Sequence, residues 1–236
     1  MMALPQLNTA TKYELKMPST GETIEYRPYL VKEEKILMIA MESQDQKQII
    51  RATRDVIQSC TFDKINIMNY PMFDLEYVFL KLRTKSVGET SKLKFACEKC
   101  QTPNDYNINL DELEPIGKTV ENTIPLTDTI GVTMKYPTVK DMNDSTSEAE
   151  IDLIFDILVS SIESIYDAEN VYPASENTKA ELNQFIENLN QKQFNKLQEW
   201  FEAMPKLKKT VEFTCTKSDC GHENSFDIEG IQSFFG

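Results

Sequence analysis

Four of the 5 cysteines occur as two pairs whose spacing is typical of metal binding. Cys97 and Cys100 form a C-x2-C pair, and Cys215 and Cys220 form a C-x4-C pair. Two thiolates at such a spacing can bind one metal ion from a single turn, and two such turns complete a tetrahedral shell of four sulfurs. The pattern predicts a structural zinc site, because a closed shell leaves no open position for water or substrate.

Several alternatives to this ligand set remain open. His222 could replace Cys220 as a ligand, because C-x4-C is the looser of the two spacings. Iron in a rubredoxin-like site, four unrelated buried thiols, or a site that has decayed in this chain would also account for the cysteines. Disulfides rank lower, because Cys97 and Cys100 are too near in sequence for an easy structural bridge. Cys60 ends a helical pattern and is interpreted as a small core residue.

The two cysteine pairs belong to an internal repeat. Each pair follows a strand-like alternating segment, residues 93–96 in the first copy and 211–214 in the second. Counted from the second cysteine of each pair, the matching residues are Asn104 and Asn224, Tyr106 and Phe226, and Ile108 and Ile228. The repeat predicts two equivalent β-hairpins, distant in sequence, that zinc joins into a split ribbon-like unit.

The composition indicates an ordered globular chain. Among its 236 residues, 40% are hydrophobic, 27% are charged and only 7 are glycine. The length of the chain allows one large domain or two small ones. A net charge of -13 argues against a nucleic-acid partner. There is no apolar run long enough to span a bilayer and no signal-peptide pattern, and paired thiols suit a reducing cytoplasm.

Hydrophobic periodicity predicts a mixed order of strands and helices. Alternation over residues 12–17 and 22–29, around a turn at 18–21, predicts a β-hairpin. Helical patterns begin near Val31 and at Pro71, and the second is apolar on nearly every side. Residues 118–136 predict a second hairpin or a β-arm.

Three amphipathic helices are predicted beyond residue 137. The first follows a capping pattern at Ser145 and Glu148 and has its apolar face at Ile151, Ile154, Phe155, Leu158, Val159, Ile162 and Ile165. The second follows a like pattern at Thr178 and Glu181, and the third ends at Pro205.

The predicted fold class is therefore α+β, with β-hairpins, a split zinc-ribbon-like pair of cysteine hairpins and an inserted small helical bundle. Residues 1–136 form an N-terminal α+β domain that includes the first cysteine hairpin. Residues 137–208 form the helical insertion, and residues 209–236 form the second cysteine hairpin, which completes the ribbon.

The sequence contains no recognisable catalytic constellation. It has no P-loop, dinucleotide fingerprint, H-E-x-x-H motif or nucleophile elbow. The single histidine, His222, adjoins a predicted metal ligand, and no carboxylate has a distinctive context. A zinc hydrolase would need an open metal position, which four thiolates do not leave. We therefore expect no catalytic residues.

One local excess of positive charge stands out in this acidic chain. Its members are Lys81, Arg83, Lys85, Lys92, Lys94 and Lys99. The cluster could be a contact surface for an acidic partner, or a solvated helix end next to an exposed strand.

Two segments resemble a known protein family. They are residues 25–37 (EYRPYLVKEEKIL) and residues 73–89, which contain FDLEYVFLKLR and KSVGE; residues 134–137 (MKYP) add to the likeness. These segments resemble the baseplate hub subunit family of T-even-like contractile-tail bacteriophages, over roughly residues 4 to 140.

The resemblance implies a non-enzymatic protein of tail assembly, made in the host bacterial cytoplasm and acting in the virion tail baseplate. Its partners would be other tail and hub proteins and the tape measure protein. It would either remain in the virion as a structural subunit or act as a transient assembly chaperone. A zinc-ribbon adaptor for nucleic-acid machinery is a further alternative. The acidic second hairpin, with Glu212, Asp219, Glu223 and Asp227, argues against that adaptor.

Overall fold

The computed structural model describes residues 11–117, 121–144, 150–230 and 233. The strands of its first half are β1 (Tyr13–Lys16), β2 (Thr23–Tyr26), β3 (Thr90–Ala96) and β4 (Pro103–Asn109), and the helices are α1 (Val31–Glu42), α2 (Gln46–Cys60) and α3 (Met72–Ser86). The strands of its second half are β5 (Thr123–Pro125), β6 (Gly131–Met134), β7 (Ile162–Tyr166), β8 (Val171–Pro173), β9 (Lys208–Thr214) and β10 (Glu223–Glu229). The helices there are α4 (Val139–Asp144), α5 (Glu150–Ser160), α6 (Lys179–Glu187) and α7 (Gln191–Ala203).

The described residues form two compact units. The first comprises the residues up to Ile67, Phe73–Pro115 and those from Leu207 onward, and the second comprises Met68–Met72 and Ile116–Lys206. The Ile116–Lys206 segment of the second unit is thus inserted in sequence between the two cysteine hairpins. Small antiparallel sheets and helices together confirm the predicted α+β class.

The first unit contains three separate antiparallel hairpins, β1–β2, β3–β4 and β9–β10. The predicted N-terminal hairpin is confirmed, with Tyr13 opposite Tyr26. Helix α3 carries the wide apolar surface expected from its sequence, and most of its side chains are buried. One core cluster joins α3 to both cysteine hairpins: Leu80, Leu93, Ile108, Leu110, Leu113, Leu207, Val211 and Ile228. Leu80 of α3 therefore packs in the same core as residues of both hairpins.

A buried ionic network fixes the start of α1. The Glu33 carboxylate accepts hydrogen bonds from Arg27 at 2.9 Å and from the backbone N–H of Leu30 at 2.8 Å. The Ser59 hydroxyl, near the end of α2, donates to the same carboxylate at 3.1 Å. Although burial raises the pKa of Glu33, the hydrogen bonds from Arg27 and Leu30 outweigh burial and lower it from 4.5 to about 2.

Replacing Glu33 with glutamine is expected to reduce the free energy of unfolding by about 3 kcal/mol at pH 7, because the pKa of its carboxyl group falls from 4.5 to about 2 on folding. A carboxyl group whose pKa is lower in the folded state stabilises that state at pH values above its unfolded-state pKa. The contribution of Glu33 to the free energy of unfolding is therefore full above about pH 5, and it declines as the pH falls from about 4.5 toward about 2. Denaturant unfolding at several pH values measures this difference. The neighbouring Glu34→Gln is the control, and an equal Glu33→Gln deficit at pH 7 and pH 3 would contradict the prediction.

The second unit combines a four-stranded antiparallel sheet, in the order β5-β6-β7-β8, with helices α4 to α7. The predicted β5–β6 hairpin is present, with Ile124 opposite Val132, whereas residues 118–120 lie outside the described residues. The core of this unit includes Val132, Met134, Ile162, Leu197 and Trp200. Helix α6 begins with the predicted capping box, in which Thr178 and Glu181 bond each other.

The prediction for the first inserted helix was wrong at its C-terminal end. Helix α5 ends at Ser160, and Ile162 and Ile165 lie in strand β7. The hydroxyls of Ser160 and Ser161 both donate to the carbonyl oxygen of Ile157, at 2.8 and 2.7 Å, which closes the last turn. The β-branched residues that follow then pair with β6, a long-range contact that helical periodicity does not reveal.

The inserted region is consequently not a helical bundle alone, since residues 137–208 include β7 and β8. The long segment of the second compact unit also begins at Ile116, ahead of the predicted boundary at residue 137, because β5 and β6 belong to the same sheet as β7. The capping pattern at Ser145 and Glu148 lies outside the described residues. Among the helices of the described ranges, none is both long and apolar enough to cross a bilayer.

Candidate metal centre

The two cysteine hairpins have the same strand register, as the repeat predicts. In β3–β4, Phe95 lies opposite Asn104 and Leu93 opposite Tyr106. In β9–β10, the equivalent pairs are Phe213 with Asn224 and Val211 with Phe226. The inward-facing rings form one aromatic cluster, with centroid distances of 5.4 Å between Phe95 and Phe226 and 6.0 Å between Phe95 and Phe213. These contacts pack the hairpins against each other beside their cysteine loops.

The loops that carry the cysteines share one backbone feature. The residue after the second cysteine of each pair has a left-handed conformation, with φ of +57° at Gln101 and +55° at Gly221. Each loop is also closed by a backbone hydrogen bond from its first cysteine, Cys97 to Thr102 at 2.9 Å and Cys215 to His222 at 2.8 Å. The longer spacing of the second pair therefore still produces an equivalent turn.

The structure brings together the four predicted ligands. The sulfur atoms of Cys97, Cys100, Cys215 and Cys220 all lie within 4.8 Å of one another. The Cys97–Cys220 sulfurs are 3.8 Å apart, and the Cys100–Cys215 sulfurs are 3.6 Å apart. A tetrahedron with Zn–S bonds of about 2.3 Å has sulfurs separated by about 3.8 Å. The arrangement therefore fits a four-coordinate metal ion, and the sulfurs are too far apart for disulfide bonds.

His222 has a different place in the site. Its Nε2 atom lies 4.0 Å from a carboxylate oxygen of Glu98, and its side chain is not part of the sulfur cluster. Its backbone carbonyl oxygen accepts the Cys215 N–H that closes the second loop. Among the described residues, Cys220 rather than His222 completes the group of four donors.

The electrostatics of the cluster favour a bound cation. Hydrogen bonds from the Thr102 hydroxyl and N–H lower the pKa of Cys100 to about 6. The His222 N–H favours the thiolate of Cys220, but burial and the neighbouring cysteine sulfurs together outweigh it and raise its pKa to about 11. Four thiolates repel one another at these distances, and a divalent cation would remove that repulsion.

Two buried asparagines link the hairpins across the site. The Asn104 side-chain oxygen accepts the Thr216 N–H at 2.7 Å and the Thr216 hydroxyl at 2.8 Å. In the reciprocal contact, the Asn224 side-chain oxygen accepts the Glu98 N–H at 2.9 Å. Thr216 follows Cys215, and Glu98 follows Cys97, so each asparagine holds the residue after the first cysteine of the other hairpin.

The same asparagines also bond their own loops. The amide group of Asn104 donates to the Thr102 carbonyl at 2.7 Å, and that of Asn224 donates to the His222 carbonyl at 3.0 Å. Each side chain is only 2% exposed. We call Asn104 and Asn224 the asparagine clamp. The repeat matched these two residues in the sequence, but their positioning role becomes visible only in the folded chain.

The cluster of positive charge, for which the sequence left open a contact surface or a solvated helix end, is paired within the chain in its α3 half. The Lys81 ammonium donates to the Asp111 carbonyl at 2.7 Å, and Lys85 pairs with Glu89 at 2.9 Å. Arg83 donates to the Gly88 carbonyl at 3.3 Å. The α3 half of this cluster is therefore a paired helix end, while Lys92, Lys94 and Lys99 are exposed on the first hairpin.

A family model described as T4 bacteriophage base plate protein matches residues 10–236. The chain belongs to this family. This match confirms the resemblance found in the sequence. In this baseplate protein it also extends through the inserted unit and the second cysteine hairpin. No curated protein and no solved structure shows a significant match to it.

Proposed function

We propose that this baseplate protein is a non-enzymatic structural component of the baseplate hub, with one structural zinc ion held by Cys97, Cys100, Cys215 and Cys220. The family match over residues 10–236 supports the baseplate assignment. The hub assignment derives from the resemblance of residues 25–37 and 73–89 to hub subunits. Its partners are other tail and hub proteins, with the tape measure protein among the candidates.

The zinc assignment is supported by the cluster of four sulfurs within 4.8 Å of one another. All four donors are cysteine sulfurs, which bind a metal ion as thiolates. Such a set of donors favours zinc over hard cations such as magnesium. A closed sulfur shell has no open position for water, so the metal would act as a staple between two hairpins rather than as a Lewis acid. This is the chemistry expected of a structural part and not of an enzyme.

Quantitative mass spectrometry of purified virions, with other baseplate proteins as internal standards, tests the hub role. A fixed stoichiometry in intact virions, retained in isolated baseplates, is the expected result. Presence only in assembly intermediates would instead identify a transient assembly chaperone. Absence from both would overturn the assignment to the tail.

A further inference from the structure

Helix α1 exposes an apolar surface that nothing in the described part of the chain covers. Its inward face is formed by Glu33, Leu37 and Ala40, which are buried. The residues that remain 46–78% exposed are Leu30, Val31, Ile36, Met38, Ile39 and Met41. We call these six residues the α1 surface. Helix α1 therefore presents apolar side chains outside its buried face, next to the exposed charged residues Lys32, Lys35 and Glu42.

The α1 surface differs from the rest of the described chain. Other large apolar side chains that are exposed there, such as Phe62, Val87 and Ile154, are scattered along the sequence, with Val171 and Tyr172 as one adjacent pair. Single exposed apolar residues are normal on a protein surface, but a contiguous group marks an interaction site. The α1 surface is therefore expected to be covered by a partner.

The charges on this face identify the partner. Lys35 and Glu42 are exposed and lie on the same side of the helix as Val31 and Met38, at the four-three-four spacing of a helix–helix seam. Neither residue forms an ion pair within the described ranges. They flank Met38 and Ile39 at equal distances along the sequence, one positive and one negative. Two copies of a surface with this charge order are complementary when a twofold rotation relates one copy to the other.

We infer that the α1 surface binds a second copy of this chain, with the two α1 helices antiparallel about a twofold axis near Met38 and Ile39. This arrangement brings Lys35 of each copy toward Glu42 of the other and covers Met38 and Ile39 between them. A parallel arrangement would place like charges opposite each other, which is unfavourable. The inference does not depend on the zinc site or on the hub role.

The expected association is weak and reversible. A helix of 12 residues is about 18 Å long, so α1 alone buries less than the about 800 Å² per partner of a standard interface. Sedimentation velocity of the full chain, from about 1 μM to about 100 μM, should show a monomer that converts to a dimer as concentration rises. A monomer over the whole range would overturn the inference.

Two charge variants test the antiparallel pairing directly. Lys35→Glu and Glu42→Lys each place like charges opposite each other in the homodimer, so each variant alone should remain monomeric. An equimolar mixture of the two restores both opposite-charge contacts and should form a heterodimer. No heterodimer in the mixture, or full dimerisation of either variant alone, would overturn the proposed pairing.

Met38→Glu should abolish the dimer by placing charge at its centre, with the circular dichroism spectrum and Tm retained because Met38 is 59% exposed. Ile154→Glu is the matched control, since Ile154 is 52% exposed on helix α5, and it should leave the dimer intact. A dimer that survives Met38→Glu would contradict the inference. So would a chain that never self-associates but binds another tail protein through the α1 surface.

Discussion

Replacing Cys97 and Cys215 with serine together is expected to remove zinc from the purified chain and to lower its Tm markedly. The double variant takes one buried ligand from each hairpin, so neither pair can hold the ion with the other. A ligand present at about 1,000 times its Kd stabilises the folded state by about 4 kcal/mol. For a chain of this length, that loss lowers Tm by roughly 8–16 °C.

Elemental analysis of protein purified without added metal, together with calorimetry, measures both effects. The wild-type chain should contain about one zinc per chain. Cys60→Ala is the matched control, because Cys60 is buried outside the cluster and its loss should lower stability without changing zinc content. A metal-free wild type, with a double variant of unchanged Tm, would contradict the structural zinc site.

Removal of the asparagine clamp has the second largest expected effect. Asn104→Ala removes the acceptor of the Thr216 N–H and of the Thr216 hydroxyl, and leaves the Thr102 carbonyl with the Cys97 N–H as its remaining donor. Because Thr216 is exposed, water can replace part of what is lost, and each lost hydrogen bond costs about 0.5–1.5 kcal/mol. Groups that orient metal ligands without touching the metal typically change its affinity by about 10–100-fold. Asn104→Ala is therefore expected to weaken both folding and zinc binding.

The two halves of the clamp should differ in strength. Asn104 makes two contacts across to the other hairpin, whereas Asn224 makes one, to the Glu98 N–H. Competition with a chromophoric chelator should therefore show a larger loss of zinc affinity for Asn104→Ala than for Asn224→Ala. Asn107→Ala is the control, since Asn107 lies on the same strand with its side chain exposed. Equal affinities for all three variants would show that the clamp does not position the ligands.

The cysteine cluster could be predicted from sequence because its information is local. The spacing within each pair reports a metal-binding turn, and the repeat reports that two turns have the same design. The clamp could not be predicted in the same way. Its contacts join Asn104 to Thr216 and Asn224 to Glu98, residues 112 and 126 positions apart, and no local pattern records such pairs.

The errors in the fold prediction have a related cause. Ile162 and Ile165 continue the helical spacing of Leu158 and Val159, so periodicity alone assigned them to the helix. Pairing with β6 instead places them in a strand. In helix α1, apolar residues lie both on the buried face and on the exposed surface. Their spacing therefore does not indicate which side of the helix is buried.

The separation of the cysteine pairs sets an order of events during synthesis. Cys100 and Cys215 are 115 positions apart, which a bacterial ribosome translates in roughly 6 to 23 s at about 5–20 residues per second. During that interval the first pair exists as a half-site with two thiols, while the inserted unit has time to fold. The four-sulfur shell can close only after the second hairpin emerges. Capture of the proposed zinc ion is thus expected to be a late step, which a chain truncated before Cys215 cannot complete.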